Sequence, residues 1–222
     1  AGSSSGSRKR AAGALSKPRK DKTPMNTISF ILNALLFLAT LYILAFRLPA
    51  NGRWNKEQVF SALRFFTVLS NIFCALGAGI YALYILMGRM PQAVVLIRYL
   101  GTLAVTVTLI SVVVFLAPRA GGLKHLLEGA NLYLHLLGPL LAMADYLLFV
   151  PPLGSFGAYL WGLAPVLAYG FMYLYKTRIA PEDRRWPDFY GFNKGGAWPL
   201  SYAMMALGTL ALCVIYWLLK CI

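Results

Sequence analysis

The sequence predicts an all-α polytopic membrane protein, a bundle of six transmembrane helices. Of its 222 residues, 59% are hydrophobic and only 13% are charged, whereas a soluble domain carries about 25% charged residues. The 21 Lys and Arg outnumber the 7 Asp and Glu, a net charge of +14, and most of these charges fall outside the long apolar runs, in the N-terminal tail and in the connecting loops. Such hydrophobicity excludes a disordered chain, and basic residues kept to tails and short loops exclude a nucleic-acid-binding domain.

Six apolar runs are long enough to cross the hydrocarbon core of a bilayer, which takes about 20 residues of helix. Because the runs are continuous and not alternating, they favour helices over the strands of a membrane barrel. They cover residues 26–47, 57–87, 91–117, 130–150, 155–176 and 198–220. Helix-breaking or charged residues lie at the ends of the first five runs. They are Arg47, Pro49 and Gly52 for the first run, Gly88 and Pro91 for the second, Pro118, Gly121 and Gly122 for the third, Pro151 and Pro152 for the fourth, and charged residues with Pro181 for the fifth.

Two segments lie outside these runs. Residues 1–24 are rich in Ser, Gly, Lys and Arg, so we expect a disordered basic tail, either native or appended, ahead of a six-helix domain over 25–222. Residues 177–197 form the longest loop, and loops of this length usually have a function or move.

The orientation in the membrane stays open. With a cytoplasmic N-terminus, nine basic residues lie on that side and ten on the other, so the positive-inside rule does not choose between the two orientations. The predicted location is an integral membrane: the inner membrane in a bacterium, an endomembrane or the plasma membrane in a eukaryote.

Three of the runs carry polar residues at helical spacing, where ionisable groups are costly and therefore indicate function. Thr67 and His135 form the hydroxyl and imidazole pair that best fits within one leaflet. With a rise of about 1.5 Å per residue, they lie about 15 Å and 8 Å from the same membrane surface. We expect the three stripes to share an internal cavity. They are Arg64, Thr67, Ser70 and Asn71 in the second run, Arg98, Thr102 and Thr106 in the third, and Asn131, His135 and Asp145 in the fourth.

Each of these residues also has a structural interpretation. Thr, Ser and Asn in membrane helices commonly bond the i−4 carbonyl or join neighbouring helices. Arg64 and Arg98 can extend to the membrane surface, and Asp145 can pair with an Arg or cap a loop. The three Cys lack metal-ligand spacing, and no phosphate-binding or zinc-protease motif is present, so the sequence predicts no metal and no cofactor. Membrane lipids and lipid-like molecules are the expected partners, and nucleic acid is not.

Four stretches of the chain resemble a bacterial family of six-pass membrane proteins: RFFTVLSN at 64–71, NLYLHLLGPLLAMADYLLF at 131–149, YLWGLAPVLAYGFMYL at 159–174 and RRWPDFYGF at 184–192. That family is similar to the androgen-induced gene product and androgen-dependent TFPI-regulating protein family of animals. The resemblance covers about residues 26–220. The animal members are intramembrane threonine hydrolases, which cleave fatty acid esters of hydroxy fatty acids with a Thr nucleophile and a His.

The resemblance implies a lipid ester hydrolase in which Thr67 is the nucleophile and His135 is the general base. A hydroxyl is a weak nucleophile until a base takes its proton, and a neutral imidazole can do so near pH 7. The tetrahedral oxyanion then needs hydrogen-bond donors, and an Arg can hold a substrate carboxylate. The candidate supporting residues are Arg64, Ser70, Asn71, Arg98, Asn131 and Asp145, with Trp186 and Asp188 in the loop near the site.

Three other functions stay open at this point. A lipid or small-molecule binding or transport protein would line a pathway with the polar stripes and would need no nucleophile. Haem binding would need His ligands, and His125 and His135, the only two histidines, are too unevenly placed for a paired site. A structural six-helix protein would carry out no chemistry.

Overall fold

The computed structural model describes residues 24–47, 55–119, 122 and 124–221. The tail predicted over residues 1–24 therefore lies outside the described residues, except for Pro24, which begins the first helix. In the described part of the chain there are seven helices and no strand. They are α1 (Pro24–Tyr42, continued by a π-helical turn over Ile43–Arg47), α2 (Lys56–Ala62), α3 (Phe66–Leu86), α4 (Gln92–Leu116), α5 (Ala130–Phe149), α6 (Phe156–Ile179) and α7 (Trp198–Cys221).

All of these helices except α2 are long and apolar enough to cross a membrane. The predicted all-α fold with six such helices is therefore confirmed, and the chain has the character of a multi-pass membrane protein. Backbone groups inside hydrocarbon must be hydrogen-bonded within the protein, which helices achieve by themselves.

The second apolar run is not one helix, as the sequence predicted, but two. The short α2 begins with a capping box, in which Asn55 and Gln58 bond each other's backbone N–H, and its charged first turn suits the membrane surface. The chain then breaks, and Phe65 has an extended backbone (φ −90°, ψ 129°). Thr67 is consequently the second residue of α3, so it lies at the start of that helix and not about 15 Å along one.

The spanning helices form two groups. Helices α1, α3, α4 and α5 pack closely on one another, whereas α6 and α7 pack on each other and contact α4. Apolar side chains gain little by leaving lipid for protein, so close packing at small residues matters more here than in water. A Cβ on Gly101 would lie 2.8 Å from Cα of Cys74, so only glycine lets α4 approach α3 this closely.

A cluster of tyrosines joins the two groups. Tyr99 of α4 contacts the rings of Tyr146, Tyr159 and Tyr216, with ring centroids 5.1–5.9 Å apart, and all four side chains are buried. The Tyr99 hydroxyl donates to the carbonyl of Tyr159 at 2.8 Å. These contacts hold α6 and α7 against α4 at the end of the bundle where α4 begins.

Candidate functional site

A cavity of about 610 Å³ lies between the two helix groups, where α3 begins and α4 ends. Its volume is in the range of ligand sites, and an apolar lining with a few polar groups is their usual composition. The lining here is mostly aliphatic and aromatic, from α3, α4, α6, α7 and the loop that precedes α7. The hydroxyl-bearing residues of the lining are Thr67, Thr108, Ser111, Tyr169, Tyr190, Ser201 and Thr209.

Thr67 lines this cavity from the first turn of α3. Its carbonyl accepts hydrogen bonds from the hydroxyl of Ser70 at 3.1 Å and from the side-chain amide of Asn71 at 2.8 Å. In the described part of the chain, its own hydroxyl has no hydrogen-bond partner. The hydroxyls of Tyr169 and Thr209, by contrast, donate to backbone carbonyls.

His135 lies near the start of α5, in a π-helical turn over Tyr133–Leu137, and its side chain is 7% exposed. Pro139 accounts for this turn, because a proline has no N–H to donate to the carbonyl four residues before it. Such widened turns frequently occur at functional sites. His135 is not among the residues that line the cavity.

Asn71 connects the segments of the two predicted catalytic residues. Its side-chain amide donates to the carbonyl of Thr67 at 2.8 Å and to that of Leu134, the neighbour of His135, at 3.0 Å. An amide has two N–H donors, and both are used here. Asn71 therefore fixes the start of α3 beside the start of α5, and it has no donor left for an oxyanion.

Arg64 does not share a helix face with Thr67, as the sequence predicted, because it lies in the break before α3. Its carbonyl accepts a hydrogen bond from the Tyr169 hydroxyl at 2.7 Å. Its guanidinium carbon lies 5.8 Å from the centre of the Trp186 ring. Arg64 thus belongs to the rim of the cavity, next to the loop after α6.

This loop folds back over the start of α3. The Tyr190 hydroxyl accepts from the N–H of Phe66 at 3.0 Å, one of the N–H groups that the first turn of a helix leaves unused. Burial raises the pKa of Tyr190, and its bond from Phe66 partly offsets that rise. Asp188 organises the loop, since it accepts bonds from the Tyr173 hydroxyl and from the N–H groups of Phe192 and Asn193, all at 2.7–2.8 Å.

An ion pair between Arg98 of α4 and Asp145 of α5 is fully buried, with Nη2 3.0 Å from Oδ2. Two residues of α1 complete it, since Ser29 and Asn33 each donate to Asp145 at 2.7 Å. A guanidinium has five N–H donors, and all five have acceptors. These are Oδ1 of Asn33, Oγ1 of Thr102, Sγ of Cys74, Oδ2 of Asp145 and the carbonyl of Ala142.

This network changes the interpretation of Arg98 and Asp145. Arg98 does not extend to the membrane surface, and it has no donor left for a substrate carboxylate. Asp145 pairs with an Arg, one of the two structural interpretations that the sequence allowed. We assign both residues to the packing of α1, α4 and α5. Ser29 and Asn33 were not among the residues predicted from the sequence. The signal that could have identified them is their i,i+4 spacing as a polar pair in SFILN.

The three polar stripes do not share one cavity. Successive spanning helices alternate in direction, so Arg98 and Asp145 lie towards one face of the bundle, while Thr67 and His135 lie towards the other. Other stripe residues join helices: the hydroxyls of Ser70 and Thr108 are 2.8 Å apart, and those of Thr106 and Tyr216 are 2.7 Å apart. Asn131 lies one turn before His135, and its backbone N–H donates to the carbonyl of Glu128 at 3.1 Å.

Among the described residues, no three His, Cys, Asp or Glu side chains come together in a way that could hold a metal ion. The side chain of His125 lies outside the described part of the chain. Comparison of the chain with family models, with curated proteins and with solved structures finds no match. The site must therefore be judged on its own geometry.

Proposed function

We propose that the protein is an intramembrane hydrolase of fatty-acyl esters, with Thr67 as nucleophile and His135 as general base. One observation carries most of this proposal: Asn71 bonds the backbone of Thr67 and that of Leu134, so the two segments meet beside an apolar cavity that Thr67 lines. The family resemblance of these same segments points to the same two residues.

The chemistry follows from this arrangement. The acyl chain of the substrate occupies the apolar cavity, with its ester carbonyl next to Thr67. His135 takes the hydroxyl proton as Oγ attacks the carbonyl carbon, and the same proton then leaves with the alcohol product. His135 then takes a proton from water as the water oxygen attacks the acyl carbon; the bond to Thr67 Oγ breaks, the proton passes from His135 to Oγ, and the fatty acid leaves. Since the donors of Asn71 are used, Asn131 is the candidate donor to the oxyanion.

This reaction requires His135 to come within about 3 Å of Oγ. Because His135 does not line the cavity in this structure, its imidazole must turn toward Thr67 when substrate enters. The π-helical turn that carries His135 is the segment in which such a movement has to occur. Catalytic hydrogen bonds often tighten only in the substrate complex.

Turnover of fluorogenic acyl esters by the purified protein in nanodiscs tests this mechanism. We expect Thr67→Ala and His135→Ala each to lower kcat by about 100-fold or more, the usual contribution of acid–base and nucleophilic groups. Thr67→Ser should retain activity. Ser201→Ala is the matched control, because it removes a hydroxyl from the opposite wall of the same cavity. Full turnover in both the Thr67→Ala and His135→Ala variants would refute the dyad.

A lipid-binding or transport protein without hydrolysis is the second candidate. The position of His135 outside the cavity lining favours it. It predicts that an acyl-trapping fluorophosphonate probe never modifies Thr67, whereas a fluorescent fatty acid still binds. Replacing buried Val112 of the lining by Trp should abolish that binding under either function. Trapping of the probe on Thr67 would decide for the hydrolase.

A further inference from the structure

Two cations share one aromatic ring at the rim of the bundle. The guanidinium carbon of Arg64 lies 5.8 Å from the centre of the Trp186 ring, and Nζ of Lys176 lies 5.9 Å from it. Arg64 comes just before α3 and Lys176 just before the end of α6, so both lie at the same face of the bundle. All three side chains are half-buried.

The protein fixes the backbone at both cations. The carbonyl of Arg64 accepts a hydrogen bond from the Tyr169 hydroxyl at 2.7 Å, and the carbonyl of Lys176 accepts one from the N–H of Trp186 at 2.9 Å. The backbone positions of both residues are thus tied to the site, one through α6 and the other through the loop. Both side chains start from fixed points beside the Trp186 ring.

Neither cation has a carboxylate partner within the described part of the chain. Asp188, the carboxylate of the same loop, already accepts three hydrogen bonds from Tyr173, Phe192 and Asn193. Contact with an aromatic face stabilises a cation, but it supplies no negative charge. An anion that contacts Arg64 and Lys176 would supply one.

The surroundings indicate which anion this is. Trp residues are enriched at the level of the lipid headgroups, and Trp186 stands at the end of two spanning helices. On α6, the exposed side chains Phe171, Tyr175 and Ile179 form a stripe at spacing four that ends at this level. Acyl chains can lie along such a stripe while a headgroup reaches the cations. Arg binds phosphate oxygens through paired N–H groups, and Lys contributes a point charge.

We propose that Arg64, Lys176 and Trp186 form a binding site for the phosphate of an anionic membrane phospholipid. The site lies beside the cavity and outside the predicted catalytic pair, so it does not depend on the proposed hydrolysis. A lipid held here would also fix the loop that covers the start of α3. Free inorganic phosphate has the same chemistry, and the experiment must separate the two sources.

Native mass spectrometry of the full chain in mild detergent can count bound lipids. The probes are phosphatidylglycerol and phosphatidylcholine with identical acyl chains, each with and without inorganic phosphate. We expect one phosphatidylglycerol to remain bound per protein at concentrations at which phosphatidylcholine does not bind. Added inorganic phosphate should not displace it. The double variant Arg64→Gln/Lys176→Gln should weaken this binding about 30-fold, from roughly fivefold for each cation near an anionic lipid.

The matched control is Arg184→Gln/Arg185→Gln, which removes the same amount of charge from the loop that carries Trp186. Those two cations already face Asp183 and Glu182, so this control should bind phosphatidylglycerol as the unchanged protein does. The single variant Lys176→Gln, at the surface end of α6, should give an intermediate loss. Equal losses in both double variants, or equal binding of the two lipids, would overturn the site. Displacement of the lipid by phosphate would overturn the assignment to a phospholipid.

Discussion

Replacing Arg98 by Met would break a buried ion pair while keeping a side chain of similar length. The carboxylate of Asp145 would then keep only the hydrogen bonds from the two neutral donors Ser29 and Asn33. Thr102 would lose the 2.6 Å hydrogen bond from Arg98. Both charged side chains are fully buried, and leaving one partner of such a pair alone costs about 3–5 kcal/mol. We therefore expect Arg98→Met to lower the free energy of unfolding by about that amount.

Unfolding in mixed detergent and SDS micelles, followed by circular dichroism, gives this free energy. Thr102→Val is a graded control, because it removes one bond to a charged group and should cost about 2 kcal/mol. The double variant Arg98→Met/Asp145→Leu removes both charges, so it should be more stable than the sum of its single variants predicts.

Two results would refute this reasoning. A loss below about 1 kcal/mol for Arg98→Met would mean that the pair contributes no more than an exposed one. Strict additivity of Arg98→Met and Asp145→Leu would mean that the two side chains do not depend on each other, in spite of their 3.0 Å contact.

The remaining predictions concern packing and the loop. Gly101→Leu should destabilise the protein by about 1–3 kcal/mol, because the new side chain overpacks against the α3 backbone. Gly208→Ala should not, because the space around its Cβ is open. Equal unfolding curves for the two variants would contradict the close approach of α3 and α4. Tyr190→Phe removes the acceptor for Phe66 N–H and should speed hydrogen exchange at that amide and proteolysis of the loop. Burial raises the pKa of Tyr190 above its ordinary 10.0. Loop docking should therefore be constant below about pH 10 and weaken above it, because the undocked phenol then ionises. If Tyr190→Phe showed the same pH profile, ionisation of Tyr190 would be excluded as the cause.

Much of the fold follows from hydropathy alone. The six apolar runs coincide with the six helices that can span a membrane, and their ends differ by a few residues, except at residue 57. There the run VFSALRFFTVL reads as one apolar segment, but the structure divides it between α2 and α3, with a break before Phe66. Hydropathy averages over such a break, and the capping box at Asn55 indicates only where α2 begins.

The site was less accessible from sequence because spacing along a helix does not say which neighbour a side chain meets. Arg98 and Asp145 were found as unusual charges, but their partners on α1 are neutral and lie 65 to 116 residues away along the chain. The cavity depends on the gap between two helix groups, which no single helix encodes. Thr67 faces it, whereas His135 does not line it.

The Arg98–Asp145 pair also constrains how the chain can be made. Ribosomes release α4 before α5, so for the 47 residues of synthesis that separate the two side chains the bilayer must accommodate a cation without its counter-charge. An Arg costs about 2.5–3.5 kcal/mol during insertion at the centre of a membrane helix, and less for Arg98, which lies nearer the start of α4. A chain that stops before Asp145 keeps this cost, so an unfinished or misassembled molecule differs from a complete one by an unpaired charge.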